Sequence, residues 1–193
     1  PHPSRSDHGR RDQAMSDENV QTDAAEETAP EPVVTLPGDE VLDPIVATHP
    51  TVVAVPTRHG HLLSVDPEDL VSVVAAARDG GYRMFVDYCG VDHLRRRPRF
   101  EVVLNVIDIG RGQRLEVHVA VGSEDPTLPS LTGVFPGANF YEREIFDLFG
   151  INFTGHPDLT RILLPDDWEG HPLRKDYAVG SVPVQFKEAH KAP

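Results

Sequence analysis

Glycine and proline recur so often between Gly150 and Tyr177 that this part of the chain cannot form a long helix or strand. The interrupting residues include Gly155, Pro157, Pro165, Gly170 and Pro172. Proline lacks a backbone donor and glycine favours tight turns, so the backbone groups here need hydrogen-bonding partners outside regular structure. We therefore predict an extended arm over residues 151–193, which opens with a short strand at residues 151–153.

The predicted arm carries apolar and basic side chains despite its irregular backbone. The apolar ones are Leu159, Ile162, Leu163, Leu164, Trp168 and Leu173. The basic ones are Arg161, Arg174 and Lys175. Because another chain can satisfy both the backbone and such anchors, we favour an arm that lies across a partner over a loop packed on its own domain.

A helix is predicted immediately before the arm, from Pro136 to a left-handed residue at Gly150. Apolar residues recur in it at helical spacing, at Tyr141, Ile145, Leu148 and Phe149. Between them lie the charged residues Glu142, Arg143, Glu144 and Asp147. An ordinary solvent-facing surface explains these charges equally well. The surrounding aromatic rings nevertheless predict that some are desolvated and paired, and Arg143 and Asp147 are four residues apart, a spacing that allows contact on a helix.

The preceding residues predict an α+β fold with a largely antiparallel sheet packed with helices. Predicted strands span residues 51–55, 61–65, 82–91, 100–109 and 115–121. The best-marked helix has Asp66 as its N-cap, Pro67 at its first position and Gly80-Gly81 as its stop, and the short apolar segment 41–47 is compatible with a further helix. We divide the chain into a tail (1–39), an α+β domain (40–150) that ends in the charged helix, and the arm (151–193).

Net charge constrains the partners. The chain has a net charge of −13, which repels nucleic acid and anionic lipid, so neither is an expected partner. Residues 1–40 contain three basic and ten acidic residues, or −7, and we predict an acidic tail that is disordered or draped over a neighbour. No apolar run is long enough to span a bilayer and no signal pattern is visible, so we expect contact with a membrane only through a complex.

Isolated motifs elsewhere give weak signals. The single cysteine, Cys89, cannot form an internal disulfide, and we interpret it as a small core residue rather than a reactive thiol. Gly110-Arg111-Gly112 lacks the third glycine of a dinucleotide fingerprint. Arg95-Arg96-Arg97 is typical of a solvated turn, although docking on an acidic neighbour stays open. Asp87 and Asp92 are interpreted as strand-end or turn residues rather than paired catalytic carboxylates.

Two copies of Gly-His-Pro place His156 and His171 in the arm. A metal-dependent hydrolase that uses these histidines is one alternative, with Asp158, Asp166 and Asp167 as further ligands. Local zinc sites favour histidines three to five residues apart or cysteine ligands, and neither occurs here. We favour tight turns in which each imidazole donates to a backbone carbonyl, and no motif for nucleophilic catalysis is present.

One long ordered motif resembles the signature of the thirty-kilodalton subunit family of respiratory NADH:quinone oxidoreductase, or complex I. It comprises Glu142-Arg143-Glu144-x-x-Asp147-Leu148-Phe149, His156, Arg161-Ile162-Leu163 and Gly170-His171-Pro172-Leu173-Arg174-Lys175-Asp176. The likeness extends over roughly residues 50–178. The family usually has a basic residue or proline where this chain has Thr160, and we expect the neighbouring Arg161 to take that contact.

The resemblance implies a non-catalytic subunit in the peripheral arm of a proton-translocating enzyme, on the cytoplasmic face of the plasma membrane. FMN, iron-sulfur clusters and quinone are then expected in partner subunits, with no cofactor or metal in this chain. The implied partners are the large quinone-binding subunit, of the forty-nine-kilodalton type, and a cluster-bearing neighbour. The homologous subunit of a membrane-bound hydrogenase, or of an enzyme fed by another electron donor, is the alternative within the same class.

We expect the docking surface on those partners to be built from the charged helix and the arm. The predicted interface residues are Glu142, Arg143, Glu144, Asp147, His156, Arg161, Trp168, His171, Arg174 and Lys175.

Overall fold

The structure of the protein is a computed structural model that describes residues 37–178. The predicted acidic tail up to residue 36 and the end of the predicted arm from residue 179 lie outside the described residues. The predictions about those two segments stay predictions.

The described residues form three helices and seven strands. The helices are α1 (Leu42–Thr48), α2 (Leu70–Asp79) and α3 (Ala138–Phe149). The strands are β1 (Val53–Thr57), β2 (Gly60–Val65), β3 (Met84–Asp92), β4 (Phe100–Asp108), β5 (Gln113–Val121), β6 (Thr127–Pro129) and β7 (Asn152–Thr154). All the predicted elements are present, and β6 is an addition that was too short to show a period in the sequence.

Five strands form one sheet in the order β1-β2-β5-β4-β3. The neighbours β1 and β2, β3 and β4, and β4 and β5 are antiparallel, whereas β2 and β5 are parallel. The short strands β6 and β7 form a separate parallel pair. The predicted α+β fold with a largely antiparallel sheet is confirmed.

The hydrophobic core lies against one face of the sheet. Along β4, alternate residues are buried and the residues between them are only half-buried, which is the period of a sheet with one covered face. The buried apolar side chains of all three helices join the same apolar cluster. Helix α3 packs closely on β3, where a Cβ on Gly90 would lie 2.8 Å from the ring of Phe149, so only glycine allows this approach.

Helix α2 begins later than its sequence signals predict. Residues 67–69 form a turn in which the Asp69 N–H donates to the Asp66 carbonyl (3.1 Å), and the helix starts at Leu70. The prediction of Asp66 as N-cap was therefore wrong. The carboxylate of Asp69 accepts from the hydroxyl of Thr51 (3.1 Å) and makes no capping bond, so a contact with a distant loop takes the place of the local cap.

The predicted boundary at residue 39 also needs correction, because Asp39 belongs to the folded domain. Its carboxylate accepts from the N–H groups of Val41 (2.9 Å) and Leu42 (3.1 Å) at the start of α1. It also pairs with Arg111 in the β4–β5 turn (3.0 Å). Burial opposes ionisation of this carboxyl, but these donors outweigh it and lower the pKa of Asp39.

Candidate functional site

The site begins at the C-terminal end of α3, where the chain turns back. Gly150 adopts a left-handed conformation (φ 70°, ψ 34°), as its position predicted, and its N–H donates to the Phe146 carbonyl (2.9 Å). A Cβ at this position would collide with the side chains of His171 and Arg174. Glycine is required here both for the backbone conformation and for the close approach of the arm.

Asp147 holds the first part of the arm. Its side chain has no exposed area, and its Oδ2 atom accepts from the backbone N–H groups of Ile162 (3.1 Å), Leu163 (2.8 Å) and Leu164 (2.9 Å). Its Oδ1 atom accepts from Arg161 Nη1 (2.6 Å). Burial alone would raise the pKa of Asp147, but the three N–H donors and the guanidinium outweigh burial and lower it.

Two of the three arginines of the motif, Arg143 and Arg161, complete this first anchor. Arg161 also donates to the carbonyls of Trp168 (3.0 Å) and Gly170 (3.2 Å), so one guanidinium closes the loop over residues 161–170. Arg143 donates to the carbonyls of Thr160 (3.0 Å) and Arg161 (2.9 Å). The predicted pairing of Arg143 with Asp147 was therefore wrong, because the donors of the arm occupy both oxygens of that carboxylate. Arg161 makes the ion pair with Asp147, and whether this replaces a contact of the basic residue usual at position 160 stays a prediction.

A second anchor closes the end of α3 with residues 171–174. His171 Nδ1 donates to the Asp147 carbonyl (2.9 Å), the Leu173 N–H donates to the Leu148 carbonyl (3.1 Å), and Arg174 Nε donates to the Phe149 carbonyl (2.6 Å). The last carbonyls of a helix have no partners within the helix. The arm therefore supplies the donors that this helix end needs.

A third anchor joins the end of the arm to the sheet. Arg99 makes two bonds to the buried carboxylate of Asp92 (2.9 and 2.7 Å) and two to Asp176 (2.9 and 2.7 Å). The N–H of Lys175 also donates to Asp92 (2.8 Å). The guanidinium of Arg99, aided by this backbone donor, lowers the pKa of Asp92.

The strand-end interpretation of Asp92 is confirmed, because Asp92 is the last residue of β3. The Asp87 carboxylate accepts from the Tyr88 N–H (2.9 Å) and is not the partner of Asp92.

Glu142 occupies a different buried environment, nearer the start of α3. Its carboxylate accepts from the Ser130 hydroxyl and the Leu131 N–H, both at 2.6 Å, and has no exposed area. Desolvation exceeds the effect of these two donors and raises the pKa of Glu142. This carboxylate ties α3 to the loop that follows β6.

The two Gly-His-Pro turns behave as predicted, since each imidazole donates to a backbone carbonyl. His156 Nε2 donates to the Asn139 carbonyl (3.2 Å), and its Nδ1 accepts from the Asp158 N–H (3.0 Å). His171 contacts the Asp147 carbonyl, as described above. Both histidines thus fix the path of the arm over α3 of the same chain.

The chain matches the sequence model of a known protein family. The family model described as "Respiratory-chain NADH dehydrogenase, 30 Kd subunit" matches residues 63–182, which is more than half of the chain. The chain belongs to this thirty-kilodalton subunit family. The family to which the motif pointed is therefore confirmed.

Relatives within the thirty-kilodalton subunit family are similar over most of the described residues. The C subunit of NADH-quinone oxidoreductase from Roseiflexus sp. (strain RS-1) is 51% identical over 125 residues, which cover 63% of this chain and 72% of the relative. The protein of the same name from Salinispora arenicola (strain CNS-205) is 42% identical over 168 residues, which cover 80% of this chain and 67% of the relative.

Two solved structures share the fold of this family member. A trypsin-resistant fragment of Nqo5 has a TM-score of 0.55 at 33% identity, covering 61% of this chain and 98% of the fragment. A chain of a membrane-bound sulfane sulfur reductase, an archaeal respiratory membrane complex, has a TM-score of 0.65 at 20% identity. It covers 81% of this chain and 98% of that chain, and at this identity it supports the fold alone.

Three predicted interface residues have their side chains inside the chain itself. The side chains of Glu142, Asp147 and His156 have no exposed area. Their prediction as surface contacts is corrected, because each binds backbone of its own chain. The backbone donors of residues 162–164, which no sequence period identifies, account for the burial of Asp147.

The other predicted interface residues keep some exposed area. The half-buried ones are Arg143, Arg161, Trp168, His171 and Arg174, and the exposed ones are Glu144 and Lys175. Whether these seven contact a partner stays a prediction.

Large apolar side chains are exposed on α3 and on the arm. Phe140 and Leu163 are each 61% exposed, Leu173 is 50% exposed and Ile162 is 37% exposed. We name Phe140, Ile162, Leu163 and Leu173 the apolar display. The last three are among the apolar side chains predicted to anchor the arm on a partner, and that stays a prediction. Within the chain itself, mainly polar side chains hold the arm.

Within residues 37–178, no group of three or more histidine, cysteine or acidic residues has a geometry that fits a metal ion, so the hydrolase alternative finds no ligand set there.

Cys89 is half-buried rather than a core residue. Burial, aided by the nearby charges of Asp87 and Glu144, raises the pKa of its thiol. The Arg95-Arg96-Arg97 turn is exposed, as expected, and its predicted docking on an acidic neighbour stays a prediction. Within the same range, no helix is long and apolar enough to cross a membrane.

Proposed function

We propose that this chain is the non-catalytic docking subunit of the peripheral arm of a proton-translocating NADH:quinone oxidoreductase. Membership of the thirty-kilodalton subunit family supports this assignment, as do relatives named as the C subunit of NADH-quinone oxidoreductase. In this role the chain holds other subunits in place and carries no reaction of its own.

The observation that carries the proposal is the rigidly anchored arm with its apolar display. Three separate anchors, at Asp147, at the end of α3 and at Asp92, fix residues 160–176 before any partner is bound. A fixed surface loses less conformational entropy on association than a flexible segment does. Large apolar side chains that stay exposed on such a surface, as Ile162, Leu163 and Leu173 do on the arm, favour a protein–protein contact.

The cofactors are proposed to lie in the partner subunits. FMN, iron-sulfur clusters and quinone are assigned there, with none in this chain. An iron-sulfur cluster is usually held by several cysteine thiolates, and this chain has only Cys89. The partners are the large quinone-binding subunit and a cluster-bearing neighbour, and the assembly lies on the cytoplasmic face of the plasma membrane.

Isolation of the tagged full chain from membranes in mild detergent tests this function directly. We expect the large quinone-binding subunit, the cluster-bearing neighbour and NADH-oxidising flavoprotein subunits to copurify, together with NADH-to-quinone turnover. Copurification of hydrogenase subunits, or of a module for another electron donor, would favour the alternative within the same class. A chain that stays alone, or that turns over a small molecule unaided, would contradict the proposal.

A pair of matched variants tests the apolar display. Leu163→Asp places a charge in the apolar display, and we expect at least a tenfold loss of copurified partners, equivalent to about 1.4 kcal/mol. Ile109→Asp is the control, because Ile109 is 73% exposed and lies in the turn between β4 and β5. Equal behaviour of the two variants would show that the apolar display is not the docking surface.

A further inference from the structure

Four cations lie close together where the turn between β3 and β4 meets the end of the arm. They are Arg95, Arg96, Arg97 and Lys175, and all four residues are exposed. The carboxylate of Asp92 joins the two segments, because its Oδ1 atom accepts from the N–H of Leu94 (2.7 Å) and its Oδ2 atom accepts from the N–H of Lys175 (2.8 Å). We name the four cations the basic patch.

The turn that carries three of these cations is held by its own hydrogen bonds. The N–H of His93 donates to the Arg99 carbonyl (2.9 Å). The guanidinium of Arg97 donates to the carbonyls of Leu94 (3.3 Å) and Arg96 (3.1 Å). Leu94 has a positive φ of 56°, which is uncommon for a residue with a side chain. A fixed turn loses less conformational entropy on association than a flexible turn does.

Three carboxylates beside the basic patch do not neutralise it. Asp92 and Asp176 accept from the guanidinium of Arg99. Glu101 lies 3.7 Å from the guanidinium of Arg96, and its two oxygens already accept from two imidazoles at 2.7 and 2.9 Å. With Arg99 included, this part of the surface has five cations and three carboxylates, a local charge of +2 with histidine neutral.

The basic patch contrasts with the rest of the described residues. Residues 37–178 contain 13 basic and 22 acidic residues, or −9. Within the same residues, the side chain of Arg95 makes no hydrogen bond or ion pair, and that of Arg97 bonds only to carbonyls of its own turn. Like charges that lie together repel one another, and complementary charges on a partner remove this repulsion.

The charge of the whole chain favours a protein segment over a larger anionic surface. Nucleic acid or an anionic membrane would also approach the acidic surroundings of the basic patch, and the chain has a net charge of −13. A short segment of a protein can contact the basic patch alone. Guanidinium groups match carboxylates in a bidentate geometry, and arginine is enriched at protein interfaces.

We propose that an acidic segment of a partner subunit docks on the basic patch and pairs its carboxylates with Arg95, Arg96, Arg97 and Lys175. The inference rests on the proposed function, because it defines the chemistry of one contact of the docking subunit. Leu173 of the apolar display precedes Lys175 by two residues, so a partner on the end of the arm lies next to the basic patch. Leu94, which is 36% exposed, adds an apolar contact to the same surface.

Carbodiimide cross-linking of the complex purified from membranes tests the proposal. The reagent condenses a lysine amine with a carboxylate that it contacts, and Lys175 is the single lysine in residues 37–178. We expect mass spectrometry to identify Lys175 joined to an aspartate or glutamate of a partner subunit. Lys175→Arg has no primary amine at this position, so it should lose the cross-link and is the control for its specificity.

A matched pair of charge reversals tests the contact without a reagent. Arg95→Glu should reduce the copurified partner about tenfold, since like charges then meet across the contact. Arg58→Glu is the control, because Arg58 is also exposed, lies in the turn between β1 and β2 and makes no side-chain hydrogen bond within residues 37–178. Both isolated variants should keep the wild-type midpoint of urea denaturation, which separates docking from folding. Equal amounts of partner with the two variants would overturn the proposal.

Four further outcomes would each overturn the proposal. A complex that keeps its partners and yields no cross-link from Lys175 to them would refute the acidic segment while leaving the proposed function intact. Cross-links from Lys175 to carboxylates of this chain alone would assign the basic patch to the chain itself. Binding of the isolated chain to phosphatidylserine vesicles that Arg95→Glu abolishes would assign it to an anionic membrane. A chain that brings no partner out of the membrane would refute the proposed function and this inference together.

Discussion

Each half of α3 carries one buried carboxylate, and the pKa values of the two carboxylates shift in opposite directions. Glu142 and Asp147 are five residues apart, and neither side chain is exposed to solvent. The pKa of Glu142 is raised, whereas the pKa of Asp147 is lowered. Both shifts begin from the same cost of burial, so the difference arises from the donors that each carboxylate receives.

The number and charge of the donors decide the sign. Glu142 accepts from one hydroxyl and one N–H, both neutral, and desolvation remains the larger effect. Asp147 accepts from three N–H groups and a guanidinium, which together exceed desolvation. Hydrogen bonds to the charged form favour ionisation, and a neighbouring cation adds to them. Relative to the unfolded chain, the fold therefore favours the charged form of Asp147, which the arm surrounds with donors, and the neutral form of Glu142.

The opposite pKa shifts make the two carboxylates respond to pH in opposite directions. Because the folded pKa of Asp147 is lowered, its contribution to stability is present above its unfolded pKa of about 3.9 and is lost as pH falls through the folded value. The folded pKa of Glu142 is raised, so its contribution declines as pH rises above its unfolded pKa of about 4.3. The arm end of α3 is therefore the acid-labile end.

The largest expected effect is that of Asp147→Ala. This change leaves the guanidinium of Arg161 and three N–H groups without their partner, so the free energy of unfolding should fall by about 3–5 kcal/mol. Urea denaturation measures the loss, and faster proteolysis of residues 160–176 should accompany it. Asp158→Ala, an exposed carboxylate whose side chain makes no hydrogen bond in residues 37–178, is the control. Equal losses in Asp147→Ala and Asp158→Ala would show that the buried contacts of Asp147 do not stabilise the fold.

Arg161→Met should have the next largest effect. Asp147 keeps its three N–H donors in this variant, so a loss of about 1.5–3 kcal/mol is expected, as for a hydrogen bond to a charged group. The same denaturation measurement applies, with Arg95→Met in the exposed turn as the matched control. A loss as large as that of Asp147→Ala would assign the anchor to the ion pair alone and would reduce the role of the N–H donors.

Glu142→Gln should change stability at pH 7 by no more than about 1 kcal/mol, because the amide can still accept from Leu131 and contact Ser130. Its diagnostic effect is on the pH dependence. As pH rises from about 4.5 to 7, the wild-type protein should lose stability relative to the variant, since only the wild type must ionise a buried carboxyl. A wild-type advantage that grows with pH would contradict the raised pKa of Glu142.

Glu144→Gln is expected to have the smallest effect. This residue lies on α3 between the two buried carboxylates but is exposed, so the free energy of unfolding should change by less than about 0.5 kcal/mol. The measurement separates stability from docking, because Glu144 is one of the residues predicted to contact a partner. A large loss of stability in the isolated chain would show that Glu144 is part of the fold.

Much of the fold follows from local patterns. Alternation identified β4 and β5 to within two residues, and Gly150 marked the end of α3 correctly. The start of α2 was misjudged because Asp69 contacts Thr51, which no local pattern reveals. The interface prediction treated Asp147 as a surface charge because periodicity identifies a face of the helix and not what covers that face.

The sequence by itself determined where regular structure begins and ends, since glycine, proline and the apolar period act over a few residues. It also determined the family to which the chain belongs, through a long ordered motif. Only the tertiary structure decided which charges meet. Arg111 pairs with Asp39 across 72 positions and Arg99 with Asp176 across 77, and Asp147 pairs with Arg161 instead of Arg143. Such contacts depend on how distant segments are brought together, and an ionic side chain carries no local signal of its partner.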